Sequence, residues 1–477
     1  MLLAASLIST FMVAVESTIV ATAMPTIIAD LGGFRLFSWV FAAYLLTQAV
    51  SVPVYGRLAD IYGRKRVFFI GAGVFLAGTT LCGFAASMPA LILFRAIQGL
   101  GGGAVQPIAA TILGDIYAPV ERARVQAYSS TVFGVSAVAG PMLGAFIVEH
   151  AHWALVFWIN LPVGAAAIVM FALFLDERLQ PRRHRIDWLG AVLLTLGVGA
   201  LMLALVQARR LGLDVLALAA GGAVALLLLA AHEARTPEPL VPYRLWRNRI
   251  IALGNLGTLG TGAAMMGVAA FLPAYVQGVM GQNPTVAGFA LGCQSVSWTF
   301  GTIAAARIMV RASYRASAFV GGLWLIAGGT MLSLLQPESG VLWAIVASLV
   351  MGVGIGFCNP VFLVSIQTSV GWEARGAATG SVMFMRMLGQ SLGATVLGAI
   401  VNFAVYSRVP GEGDAVNRLL EPALRQTLGQ AQITRLADAV AAGVHNAYLV
   451  VLLVACLLLL LAALYPAGLS PTRSIRT

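Results

Sequence analysis

The chain has 477 residues, 60% hydrophobic and only 10% charged. A soluble protein of this size carries about 25% charged residues, so a water-soluble globular fold is excluded and a polytopic all-α membrane protein is indicated. The formal charge of +11 could suggest nucleic acid, but its placement follows membrane topology, and no nucleic-acid partner is expected.

A spanning helix needs about 20 mostly apolar residues. Taken in order, fourteen segments qualify: 3–24, 37–55, 67–87, 90–112, 125–148, 153–175, 187–207, 213–232, 250–277, 285–308, 316–336, 341–367, 377–405 and 446–467. Bilayer hydrocarbon cannot satisfy backbone groups, so such runs must be helical. The first segment lacks a basic n-region and a cleavage site, and reads as a retained helix rather than a signal peptide. It starts almost at the membrane edge, so a short native tail is expected to be missing. Pro25 is expected to end helix 1. Gly56 is expected to open a charged loop, GRLADIYGRKRV at 56–67, which holds Arg57, Asp60, Arg64, Lys65 and Arg66.

The positive-inside rule tests this order. Starting inside, twenty of the 29 Lys and Arg fall in inner segments and seven in outer ones, leaving Arg95 and Arg386 within helices. Both termini are therefore expected to be cytoplasmic, in a multi-pass cell-membrane protein whose basic excess meets lipid. Basic inner segments bracket helices 7 and 8. The organisation is read as an N-terminal six-helix bundle (1–180), two inserted helices (181–245) and a C-terminal six-helix bundle (246–477). VERAR at 120–124 and WEARG at 372–376 echo each other after helices 4 and 12. Repeated halves are how many transporters build alternating access around a midplane site. In the outer segment 407–445, Leu419, Leu420, Ala423, Leu424 and Leu428 recur at helical spacing. One or two amphipathic helices are expected there, as a structural cap or as a lid.

Of the 18 acidic residues, only Glu16 lies deep in an apolar span. A carboxylate is costly to keep charged there, and such a group can take a proton from one side and release it to the other. A structural Glu bonded to a neighbouring helix is the alternative. Arg95 opens helix 4 in RAIQGLGGG and cannot discard its proton. It either tunes Glu16 or contacts substrate from a wet cavity, or snorkels to the interface. Arg386 and Gln390 form a polar stripe in helix 13, FMRMLGQSLG. In helix 5, FGVSAVAGPMLGAFI holds Gly134, Gly140, Pro141 and Gly144. The Gly140–Gly144 spacing admits a close helix neighbour, and the GP pair favours a bend. Gln98, Phe271, Trp298 and Phe362, with Arg386 and Gln390, are candidates for lining a cavity suited to amphiphilic ligands, although the aromatics also serve as packing or lipid-facing residues.

Energy from ATP has no visible site, because the single lysine, Lys65, sits in no GxxxxGKS/T. The four Cys make no CxxC, and the five His lie near loops or helix ends, so neither a disulfide frame nor a metal site is expected. No Ser/His/Asp set is visible, so no enzyme is expected. A membrane potential supplies about 2.3 kcal/mol per charge per 100 mV, and the proton gradient rather than a cofactor is the expected energy source.

The string GRLADIYGRKRV resembles the signature between helices 2 and 3 of the major facilitator superfamily, with Gly56, Asp60, Gly63, Arg64 and Lys65 on its characteristic places. VESTIVATAMPTI at 15–27 resembles the first-helix motif of the fourteen-helix drug:proton antiporter family, with Glu16 where Asp is more usual. RAIQGLGGG, GPMLGAF (Ala145 replacing a common second Gly) and WALVFWINLPVG at 153–164 are similar to further motifs of that group. The resemblance implies a major facilitator fold and a monomeric multidrug efflux transporter that exchanges protons for hydrophobic or amphiphilic small molecules. It also implies an Asp60–Arg64 charge network that latches the cytoplasmic side against the start of a second-half helix. A dedicated exporter of one metabolite, lipid or peptide, or a non-transporting membrane sensor, is the alternative.

Overall fold

The computed structural model describes residues 1–31, 37–177, 187–207, 214–236, 243–282, 284–409 and 429–466. These residues are mostly helical, and no strand occurs among them. In chain order the helices are α1 (Leu2–Leu31), α2 (Phe37–Tyr62), α3 (Arg64–Gly83), α4 (Met88–Ile116), α5 (Pro119–His150), α6 (Leu155–Trp158), α7 (Asn160–Phe174), α8 (Trp188–Gln207) and α9 (Asp214–Glu233). There follow α10 (Tyr243–Trp246), α11 (Arg249–Ala274) with a π turn at Tyr275–Val279, α12 (Pro284–Arg311), α13 (Tyr314–Ser333), α14 (Gly340–Thr368), α15 (Arg375–Arg408) and α16 (Gln430–Leu464). Among the described residues, eleven helical segments are long and apolar enough to cross a membrane. The expected spans 125–148, 187–207 and 285–308 also coincide with helices, α5, α8 and α12.

The helix boundaries correct the expectations in three places. First, α2 continues to Tyr62 and α3 starts at Arg64, so the charged segment 56–67 is helical on both sides of a one-residue break. Gly63 makes that break with φ 91°, a left-handed conformation that favours glycine. Second, α1 runs through Pro25 to Leu31; a proline removes one backbone donor, and neighbouring groups can satisfy the carbonyl it frees. Third, the span expected at 153–175 is divided into α6 and α7, and the division falls at Ile159, so that Asn160 opens α7. The leucines expected to form an amphipathic helix at 419–428 lie outside the described residues, while Gln430 to His445 extend the last helix, α16.

The chain forms two compact units: Met1–Ala252 with Leu363–Phe384, and Leu253–Phe362 with Met385–Thr477. In the first unit α4 packs against both α2 and α3, α1 packs on α5, and α8 on α9. The RAIQGLGGG run makes the α4 contacts possible. A Cβ on Gly103 would lie 2.7 Å from the Gln48 carbonyl of α2, and one on Gly101 would lie 2.6 Å from the Gly71 carbonyl of α3. Glycines on opposite faces of α4 thus bring two backbones close, about two turns after Arg95. In the second unit α13 packs on α16, and Gly389 and Gly393 of α15 meet Leu259 and Ala263 of α11. Leu173, Leu342 and Phe403 are more than 70% exposed, which suits a surface solvated by lipid rather than water.

Candidate functional site

Glu16 and Arg95 meet in the first unit. Both are buried, at 0% and 1% exposure, and Arg95 Nη1 donates to Glu16 Oε1. The other carboxylate oxygen accepts from Asn160 Nδ2 at 2.5 Å. Arg95 Nη1 also donates to Gln98 Oε1 (2.7 Å), and Arg95 Nε to the Val40 carbonyl (3.3 Å). The guanidinium carbon sits 4.2 Å from the Tyr44 ring centroid, a cation–π contact. Gln98 Nε2 donates to Thr79 Oγ1 at 2.6 Å. Helices α1, α2, α3, α4 and α7 each contribute a group to this cluster.

The arrangement answers a physical requirement. A buried ion pair repays its desolvation only when the remaining donors and lone pairs are bonded. Here the pair is neutral as a whole, and its outer hydrogen bonds go to amides, a carbonyl and a ring face. Arg95 keeps its charge whatever happens to Glu16. If the carboxylate takes a proton, Gln98, Val40 and Tyr44 still hold the guanidinium. The site can therefore change charge at one atom without losing its frame. Of the alternatives for Arg95, the structure selects pairing with Glu16 over interfacial snorkelling. Gln98, named among the cavity candidates, is buried and bonds both Arg95 and Thr79.

A second charged network joins the ends of α2, α3, α4 and α15 within the same unit. The Asp60 carboxylate accepts from Gly376 N (2.9 Å) and Ala377 N (2.7 Å) in the first turn of α15. An anion is favoured there by the unpaired N–H groups and the macrodipole. Arg64, 2% exposed, donates from Nη2 to Asp60 Oδ1 (3.1 Å) and to the Trp372 carbonyl (2.7 Å), from Nε to Asp115 Oδ2 (3.0 Å) and from Nη1 to Ala59 O (3.3 Å). Its guanidinium carbon lies 4.0 Å from the Trp372 ring centroid. Asp115 also pairs with Arg375 Nη1. Gly56 fits against Gly376: a Cβ on Gly56 would sit 2.9 Å from the Gly376 carbonyl. Lys65 turns away from this network and bonds carbonyls at the end of α7.

In α5, Gly140 lies against α1, where a Cβ would collide with Thr18. Thr18 Oγ1 donates to Val15 O (3.0 Å) and to Ser136 O of α5 (3.3 Å). Gly144 is buried and Gly134 half-buried on the same helix, while the Pro141 side chain lies outside the described residues. In the second unit, Arg386 and Gln390 share the side of α15 that faces α11: the Arg386 carbonyl approaches Gly262, and Gln390 Nε2 contacts Met265 Sδ at 3.5 Å. Phe362 is 1% exposed and packs at Gly257, with its ring 6.2 Å from that of Tyr465. Phe271 and Trp298 are half-buried on α11 and α12.

Sequence reading missed Asn160, Tyr44, Thr79, Asp115, Arg375 and Glu177 as functional neighbours. Asn160 carried a signal, being a lone amide in the apolar run WALVFWINLPVG. Asp115 sits just past the apolar stretch 90–112 assigned to helix 4, where an acid carries no signal. Only helix packing brings it between two arginines.

Long apolar helices, a carboxylate–guanidinium pair buried among them and a charged network at helix ends are features in keeping with a membrane transporter. The family model described as Major Facilitator Superfamily matches residues 6–394. The chain belongs to the major facilitator superfamily, a family of transporters rather than enzymes. It is similar to Multidrug resistance protein 3 of Bacillus subtilis (strain 168), 32% identical over 466 residues that cover 94% of this chain and 91% of that protein. It is also similar to the Multidrug transporter protein MdtP of the same organism, 33% identical over 84% of this chain and 75% of that protein. Efflux pump FUS6 of Gibberella moniliformis is 29% identical over 87% of this chain and 76% of its own length. Among solved structures, the human organic anion transporter MFSD10 (TETRAN) matches with a TM-score of 0.60, covering 95% of this chain and 98% of its own at 15% identity. That likeness speaks for the fold alone.

Proposed function

We propose that this chain is a proton-driven antiporter that exports hydrophobic or amphiphilic small molecules from the cell. The buried Glu16–Arg95–Asn160 cluster carries the proposal. It is a titratable acid inside an apolar helix bundle, held beside a permanent cation that keeps its hydrogen bonds to Gln98 and Val40 when the acid is neutral. The names of the two Bacillus relatives and of the fungal efflux pump support a broad drug-like substrate range over a single metabolite. In this reading Glu16 binds the transported proton, Arg95 tunes it, and Asp60 with Arg64 gates the cytoplasmic side. Gly140 and Pro141 shape helix 5, and the second-half residues Phe271, Trp298, Phe362, Arg386 and Gln390 contribute to substrate binding. The chain crosses the membrane fourteen times as a monomer with cytoplasmic termini, in two six-helix bundles and an inserted pair.

The experiment is ethidium uptake into inverted vesicles energised by a proton gradient. Uptake in the unaltered protein should collapse on adding an uncoupler, and Glu16→Gln should abolish coupled uptake while the protein still reaches the membrane. Uncoupler-sensitive uptake in Glu16→Gln equal to the unaltered protein would remove Glu16 from the proposal.

A further inference from the structure

Helix α3 starts immediately after Gly63, which offers no side chain to cap it. Its first N–H groups need acceptors, as at every helix start. Glu177, beyond the end of α7, provides both: Oε1 accepts from Arg64 N at 2.8 Å and Oε2 from Lys65 N at 2.9 Å. The favour is returned in the other direction. Lys65 Nζ, from the first turn of α3, donates to the Ala172 carbonyl at 2.9 Å and the Leu175 carbonyl at 2.7 Å, at the C-terminal end of α7. An acid thus sits on the positive pole of α3 and a cation on the negative pole of α7, the polarity that macrodipoles favour. The two side chains engage helix ends, not each other.

We propose that Glu177 and Lys65 form a reciprocal helix cap whose role is to hold Arg64 in the charged latch, making Glu177 a positioning residue for transport. Arg64 carries both ends of the argument. Its amide is bonded by Glu177, and its guanidinium spans Asp60, Asp115 and the Trp372 carbonyl. Releasing the amide lets the first turn of α3 fray, and the fork loses the fixed origin from which it reaches three partners. The functional consequence rests on the antiport reading; the cap itself does not.

Two measurements on the full-length protein separate these. Hydrogen exchange reads the cap directly: the amides of Arg64 and Lys65 should exchange faster in Glu177→Ala than in the unaltered protein, and equal exchange would overturn the cap. Ethidium uptake reads the role. Because a helix-terminal charge shifts an equilibrium by about two- to fivefold, Glu177→Ala should lower Vmax by about fivefold while KM stays within about twofold. Faster exchange with an unchanged Vmax would overturn the positioning role. The swap, Glu177→Lys with Lys65→Glu, places each charge on a helix pole of its own sign and should transport no better than Glu177→Ala, whereas Lys65→Arg should retain most activity. Recovery in the swap would show an ordinary ion pair and overturn the reciprocal cap. Absence of uncoupler-sensitive uptake in the unaltered protein would remove the antiport reading, and with it the role in transport, while leaving the exchange result to decide the cap.

Discussion

Asn160 donates to the one Glu16 oxygen that Arg95 leaves open, so the carboxylate is bound from two helices at once. The contact comes from the first residue of α7, where the preceding helix breaks after Trp158. Removing the amide leaves a buried charged acceptor short of a partner. Hydrogen bonds to charged groups contribute about 1.5–3 kcal/mol. Asn160→Ala should therefore lower thermal stability measurably in detergent and reduce ethidium transport. Asn160→Asp should be worse than Ala, since it sets a second carboxylate against the first. An Asp variant as stable and active as the unaltered protein would contradict this geometry.

The Glu16–Arg95 pair should show strong energetic coupling. Truncating one member strands the other, at about 3–5 kcal/mol for a buried pair. Arg95→Met alone should destabilise severely, and adding Glu16→Gln should restore a large part of the loss. A double-variant cycle on unfolding temperature measures this. Additive effects would show that the two residues do not depend on each other.

Arg64→Lys keeps the charge but loses the planar fork. A single ammonium cannot reach Asp60, Asp115 and the Trp372 carbonyl along the directions the guanidinium uses. Transport should fall close to the level of Arg64→Ala. Activity equal to the unaltered protein would mean that charge alone suffices at this position.

Gly56→Ala tests how closely α2 and α15 approach. Its Cβ would fall 2.9 Å from the Gly376 carbonyl, a backbone atom that cannot swing aside. Loss of the Asp60 contacts to Gly376 and Ala377 should follow, with reduced transport at near-normal membrane insertion. Gly73→Ala is the control, because its Cβ would meet nothing within 4 Å.

Gly140→Ala should impair transport through its collision with Thr18 of α1. Thr18→Ala removes the colliding hydroxyl and should partly restore the Gly140→Ala protein. The Thr18 Cβ would still lie 2.9 Å from the added methyl, so Thr18→Gly completes the test: failure of both pairs to recover, with each Thr18 variant itself active, would place the importance of Gly140 elsewhere than at this contact.

Much of this was legible from residue order. Lipid cannot hydrogen-bond a backbone, so length and apolarity are enough to make helices certain and to place most of them. The same cost singles out Glu16, since an acid in such a run demands a reason. Arg95 stood out as a cation within a helix that could tune it, and the family resemblance separately implied an Asp60–Arg64 network. Helix ends were less legible. The charged segment 56–67 read as a loop because hydropathy falls there, yet α2 carries Arg57 and Asp60 onward as helix, stabilised by partners distant in sequence. Partners were least legible of all, apart from the second-half helix start that the family resemblance implied for the Asp60–Arg64 network. Asp60 meets residues 376 and 377, Arg64 meets Asp115 and Glu177, and Glu16 meets Asn160. Composition and spacing settle what a residue can do and what it costs to bury. Only packing decides which group satisfies it, because the sum of helix contacts, not local order along the chain, brings an amide from α7 to a carboxylate on α1.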